Sequence, residues 1–227
     1  MISITPKKPS SECKHTLEKI SLPTISALFC LILMSVVICM DTTIDLSNHF
    51  LIAMPSDEND LFFSNSVVFL CEHNEDGALG VVINKPMPVG LDVIFYADGK
   101  EVPDQYKNHA ILVGGPVQPN HGFIVHTPVG NWQNSLVVSD DIAMTTSHDI
   151  LENLTSEHSE VKYLQLTIGY AQWSKGQLEK ELAENKWLTA PASQDILFEI
   201  QPEKRYHAAL AKLGIKPENL INKGAYA

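Results

Sequence analysis

Two apolar stretches around one polar turn dominate the pattern along this chain. They are SVVFLC at 66–71 and ALGVVIN at 78–84, separated by Glu72-His73-Asn74-Glu75-Asp76-Gly77. Short apolar runs rich in valine predict strands. Asn, Asp and Gly suit the backbone angles of the tight turn between them. Neither arm alternates apolar with polar residues, so both faces are expected to be buried and the pair to lie inside a sheet. Gly80 within the second arm predicts a bulge or a close backbone approach. Pro86 ends the pair because it has no N–H to give to the ladder.

The same reading places a strand at 49–54, a short helix at 90–96 and a polar loop at 98–109. That loop, with Gly99 and Pro103, is the place for a subdomain break. Strands at Ala110–Val113 and 121–127 are expected to form a second hairpin around 116–120. Another strand is predicted at 135–139, followed by a helix at 145–154 with Ser147 as its cap. The strongest strand signal runs from 161 to 170, where Tyr163, Gln165 and Thr167 alternate with Leu164, Leu166 and Ile168. A helix at 174–185 carries Ser174 and Gln177 at capping-box spacing. Short strands at 187–189 and 196–198 and a helix at 202–213, closed by Gly214, complete the pattern. Strands and helices do not alternate regularly, which predicts an α+β arrangement over a doubly wound one.

Residues 20–40 form an apolar run long enough to cross a bilayer, after a segment carrying Lys7, Lys8, Lys14 and Lys19. Residues 1–39 are thus an extension, an inner-membrane anchor or signal segment if it is translated and otherwise a mis-called start, and residues 40–227 are the folded body. The chain has a formal charge of −11, and four lysines against two glutamates in residues 1–39 leave −13 on the body. An acidic body opposes direct nucleic-acid binding. The one visible basic cluster is Lys204, Arg205, Lys212 and Lys216, read as a solvated helix face. Cys71 is the body's single cysteine, so no internal disulfide is expected there.

Candidate chemistry gathers at a few points. Cys71-Glu72-His73 places a thiol beside an imidazole, and a thiolate reading would use Cys71 with His73 or His126. Ser147-His148-Asp149 has triad residue types, but three successive residues cannot form the relay. Gly114-Gly115-Pro116 after a strand could turn backbone N–H groups toward an anion. The segment 169–173, joining the strongest strand to the next helix, could line a pocket with Tyr170 and Trp173. The resulting ligand-binding candidates are Glu72, His73, Asn74, Asn84, Gly114, Gly115, His126, Tyr170 and Trp173. No catalytic set is assigned. There is no GxGxxG, GxxxxGK[ST], CxxC or HExxH, so no cofactor or metal site is expected.

The segments LSNHFLIAMP (46–55), CEHNEDGALGVVINKP (71–86), VGGPV (113–117), GFIVH (122–126) and GYAQWSKGQLEKE (169–181) resemble the AlgH/YqgE family of bacterial proteins, in the family's order. The resemblance implies an α+β fold with a mixed, largely antiparallel, barrel-like split sheet and flanking helices. It implies a start at Met40, a cytosolic location and a label of transcriptional regulation, and it brings no catalytic residues. The expected function is regulatory and non-enzymatic, through an unknown protein partner or small ligand. The alternatives are direct DNA binding and thiol chemistry at Cys71. Gln172 departs from the family's usual glycine in GYAGW, which would perturb the junction if a glycine backbone is needed there.

Overall fold

A computed structural model describes residues 44–55, 62–156 and 159–216. The expected membrane segment at 20–40 and the Met40 start lie outside these residues. Among the described residues no helix is long and apolar enough to cross a membrane.

Ten strands are assembled in one curled sheet, a half-barrel with a few flanking helices, and the fold is α+β. They are β1 (His49–Ala53), β2 (Val67–Asn74), β3 (Gly77–Val82), β4 (Pro86–Gly90), β5 (Ala110–Val113), β6 (Val117–Thr127), β7 (Ser135–Val137), β8 (Ala143–Thr145), β9 (Tyr163–Ser174) and β10 (Trp187–Pro191). The main order is β10-β1-β2-β3-β9-β6-β8-β7, and β5 bridges β4 to β9. The β5–β9 ladder is parallel and the others are antiparallel. The helices are α1 (Asp92–Ala97), α2 (Asp149–Leu154), α3 (Gln177–Ala183) and α4 (Pro202–Lys212).

The apolar pair is central, as its two-sided hydrophobicity requires. Val67, Phe69 and Cys71 of β2 join one core cluster with Val81 and Leu210, while Val68 and Leu70 join another with Val82 and Leu178. β2 runs on through Glu72, His73 and Asn74, so the turn shrinks to Glu75-Asp76. Asn74 Oδ1 accepts the Asp76 N–H at 2.8 Å and closes it. A bulge lies opposite Gly80. Leu70 faces Gly80 and Glu72 faces Leu79, leaving Cys71 as the extra residue. A methyl built on Gly80 would stand 2.7 Å from the Phe69 carbonyl oxygen, so both expectations for this glycine are met.

β9 is the spine. Its first half pairs with β5 and β6, and its last four residues pair with β3. At the changeover Gly169 has φ +73°, and the Gly114-Gly115 backbone crosses directly over Gly169 and Tyr170. Gly114 N–H donates to Ile168 O and Gly114 O accepts Val82 N–H, both at 2.8 Å. The predicted hairpin between β5 and β6 is therefore wrong. Both strands pair with β9, from opposite sides, and the Gly-Gly-Pro segment carries the chain across it.

Four further expectations are corrected. The segment 169–173 is not a strand-to-helix junction, because β9 continues through it and α3 starts only at Gln177. The helix expected from residue 145 is strand β8 followed by α2, which begins at Asp149 after His148. Residues Asp195–Glu199 form a π-helical turn in place of a strand, its Ile196 and Leu197 buried in the core. The loop at 98–109 is no domain break, since Val102 and Tyr106 are buried with Leu91, Phe95, Ile150 and Leu154.

Candidate functional site

The bulge separates Cys71 from His73. Had β2 been regular, Cys71 and His73 would share a face. Cys71 keeps the face of Val67 and Phe69 and joins their cluster, while the extra residue turns His73 to the other face, across from Ala78 of the other cluster. The thiol is buried and points at the Phe69 carbonyl, with Sγ at 3.8 Å from the oxygen. Burial, and secondarily the Glu72 charge, push its pKa up, so it stays protonated at neutral pH. The thiolate reading with His73 is overturned by this geometry.

His73 is a clamp. Its Nδ1 accepts the Leu46 N–H at 3.1 Å, so Nε2 carries the hydrogen and donates to Glu179 Oε1 at 3.1 Å. Its own N–H donates to Ser47 Oγ at 3.0 Å. Trp173 lies on the same sheet face, because Ala78 pairs with both residues. The indole of Trp173 donates to Glu181 Oε2 at 2.8 Å, and that of Trp187 donates to the same oxygen at 2.8 Å. Glu181 thus satisfies two buried indoles from α3. The sequence reading missed it, and its position at the end of GYAQWSKGQLEKE was the available signal. Asn84 is another clamp, accepting the Val67 N–H at 2.8 Å and donating to Asn65 O at 2.7 Å.

On the opposite face the ladder brings other candidates together. Glu72 pairs with Leu79, and Leu79 pairs with Gln172. Directly paired residues share a face, as do residues two apart on one strand. Glu72, Asn74, Gln172 and Tyr170 therefore form one stripe, which is polar and largely exposed. Asn74 Nδ2 donates to Glu72 Oε1 at 2.9 Å, and Tyr170 O–H to Gln172 Oε1 at 3.4 Å. Tyr170 packs edge-on against Phe123 at 5.0 Å between ring centres. Gly114 and Gly115 are spent on the crossing over β9, where any side chain would meet backbone.

His126 lies elsewhere, fully buried between β6 and β8. The Pro128 carbonyl can only accept, so Nδ1–H donates to it at 3.0 Å. Nε2 then accepts from Thr145 Oγ1 at 2.8 Å, and Ser135 Oγ stands 2.7 Å from that same hydroxyl. Burial pushes the His126 pKa below its ordinary value of 6.5, against a smaller opposing effect of the Pro128 carbonyl. An imidazole depressed in the folded state contributes stability that is complete above the unfolded value and is lost as pH falls. Stability to urea is therefore expected to decline on acidification from pH 6.5, and His126→Gln should flatten that slope. An unchanged slope in the variant would contradict it. In Ser147-His148-Asp149 the Ser147 hydroxyl donates to Asp149, while His148 turns to Asp98 at 3.0 Å. No relay forms there, as the spacing argument required. Among the described residues no group of three or more His, Cys, Asp or Glu could hold a metal ion.

The AlgH-like family model, a domain family of unknown function, matches residues 50–218. The chain belongs to the AlgH-like family. It is 56% identical over 183 residues to a UPF0301 protein of Neisseria meningitidis serogroup B, spanning 81% of this chain and all of that one. It is 47% identical over 188 residues to a UPF0301 protein of Chromobacterium violaceum, covering 82% and 99% of the two chains. The solution structure of the AlgH protein from Pseudomonas aeruginosa superposes with a TM-score of 0.65 at 37% identity, over 83% of this chain and 99% of that one. A Corynebacterium diphtheriae protein at 21% identity shares the fold, with a TM-score of 0.59.

The departure from the family pattern at residue 172 has a simple resolution. Gln172 sits in regular β9 backbone, with its side chain exposed on the polar stripe. The position that needs a glycine backbone is Gly169, three residues earlier.

Proposed function

We propose that this AlgH-like chain is a regulatory binding protein that works through a protein partner or small ligand, contacted by the stripe of Glu72, Asn74, Gln172 and Tyr170, and that it does not itself grip DNA. The observation that carries this reading is Arg205. It was the arginine of the only basic cluster visible in the sequence, and it is 2% exposed, its guanidinium held by Ile83 O and Ile200 O. Three lysines on or just beyond α4, with Glu203 among them, are what that face offers a phosphate backbone. The body around it carries an excess of acidic residues. The expectation of a wholly solvated basic helix face is thereby corrected, and the direct-DNA reading keeps three of its four basic residues at the surface. The stripe supports the positive half of the reading because its polar atoms face outward, whereas His73, Asn84, His126 and Trp173 use theirs to hold the fold.

Titration of the full chain with fluorescent duplex DNA at physiological salt tests this. No saturable binding is expected up to tens of micromolar protein, within the range of ordinary non-specific contact. Salt-dependent binding tighter than about 1 μM, weakened by charge reversal at Lys204 and Lys212, would establish the DNA reading instead.

A further inference from the structure

Three strands cooperate in a feature that the binding reading does not use. Thr145 of β8 pairs with Ile124 of β6 on one side and with Ser135 of the edge strand β7 on the other. His126, two residues beyond Ile124, reaches diagonally to the same threonine. The direction of every hydrogen in this row follows from its far end. Pro128 O accepts from Nδ1–H, so Nε2 is the acceptor and Thr145 O–H donates to it. With its one hydrogen committed, Thr145 Oγ1 can only accept from Ser135 O–H at 2.7 Å. The row thus runs from an exposed hydroxyl, through a fully buried one, to a fully buried neutral imidazole. Each donation raises electron density on the donating oxygen, and chained hydrogen bonds reinforce one another in a dry interior.

The Trp132 ring stands edge-on to His126 at 6.1 Å between ring centres, and its indole N–H is buried without an acceptor. A buried donor left open beside a hydroxyl–imidazole row is a second unusual feature at the same place.

We propose that Ser135 is a nucleophilic hydroxyl, activated through Thr145 by His126, and that it takes an acyl group from activated carboxylic esters. In the step, Ser135 Oγ bonds to the acyl carbon. Its proton passes to Thr145 Oγ1 as the Thr145 proton passes to His126 Nε2. The carbon–oxygen bond to the leaving group then breaks, and the leaving alkoxide takes its proton from the surrounding water, because the acylated Ser135 oxygen can no longer relay the proton held on His126. An acyl-serine and an alcohol result, with no oxidant, reductant or metal required. Thr145 and His126 do not touch the acyl carbon and act by positioning and proton transfer.

The probe is p-nitrophenyl acetate, used with the full chain. Intact mass and peptide mapping read the acetyl group, and hydroxylamine separates serine esters, which it cleaves, from lysine amides, which it does not. Acetylation is expected at Ser135 ahead of other exposed serines such as Ser174, and Ser135→Ala should abolish it. Thr145→Val keeps the shape but breaks the row, and should slow acetylation about 100-fold, the scale of a general-base contribution. Thr145→Ser restores a hydroxyl and should recover most of the rate. His126→Gln, which can still bond both neighbours, should behave as Thr145→Val does. Melting curves confirm that each variant is folded before its rate is compared. Labelling of Ser135 no faster than of Ser174, or equal labelling in folded Thr145→Val, overturns the proposal.

Discussion

Gly115→Ala is expected to leave the chain unfolded or nearly so, with a loss of at least about 4 kcal/mol in urea-induced unfolding. The added methyl would overlap the Tyr170 carbonyl group and the following Ala171 nitrogen, which belong to backbone and cannot swing aside. That backbone is the middle of β9, tied on both sides to neighbouring strands. Relief would require parting the Gly114–Gly115 crossing from β9 and breaking the bonds from Gly114 N–H to Ile168 O and from Val82 N–H to Gly114 O. The loss is a large share of the 5–15 kcal/mol that holds a typical domain together. Gly99→Ala is the control. A methyl there meets nothing within 4 Å and carries only the backbone penalty of φ +67°, about 1 kcal/mol. Equal, small losses at both positions would mean that the crossing is looser than its geometry implies.

The second large effect concerns Arg205, where the chemically conservative change should be the more damaging one. Arg205 Nε donates to Ile200 O at 2.8 Å and Nη1 to Ile83 O at 2.7 Å, spanning from α4 to the end of β3. Burial pushes its pKa down to about 10, so the group stays charged at neutral pH while bearing a desolvation penalty. Lysine would keep the buried charge and that penalty, but its ammonium lacks the rigid fork that reaches two carbonyls at once. Arg205→Lys is expected to lose about 3 kcal/mol. Arg205→Met leaves the same carbonyls unmatched but removes the charge and keeps the apolar stem, so about half that loss is expected. Urea unfolding of both variants decides it. A lysine variant as stable as the parent would mean that the two carbonyl bonds contribute little.

The difference between residues 67–82 and residues 143–147 shows where pattern reading succeeds. In the first stretch both faces are apolar, and any sheet that buries them must put them inside, so their central place was legible. In the second, Ala143, Met144 and Thr145 form a three-residue strand, too short for a period to emerge, and the helical residues after them drew the assignment forward. That single misplacement hid the Ser135–Thr145–His126 row, which exists only because β8 lies between β6 and β7. The segment 196–198 failed for a related reason. Its apolar residues are buried by a tight helical turn, and three apolar residues in a row do not distinguish that from a strand. Asp, Asn and Gly announced the turn after β2, but the pattern could not say that the strand carries its bulge first.

The sequence named candidate residues but not their arrangement. Glu72, Asn74 and Tyr170 come together on one stripe, and His73 and Trp173 on the other face beneath α3, although the chain distances hardly differ. One inserted residue at Cys71 separates the two outcomes, by inverting which side chains face each way.

By its amino acids alone this protein determined an α+β body, a buried central strand pair, a close-approach glycine at Gly80 and an acidic body. These follow from hydrophobicity, side-chain volume and charge, which act through composition and short-range period. Tertiary structure alone decided that Arg205 goes inside, that Cys71 and His73 part company, that β5 and β6 flank β9 instead of pairing, and that Ser135 connects to a buried imidazole. Each of those depends on which strands become neighbours. Neighbours are chosen by packing the whole sheet at once, through contacts between residues that are remote along the chain.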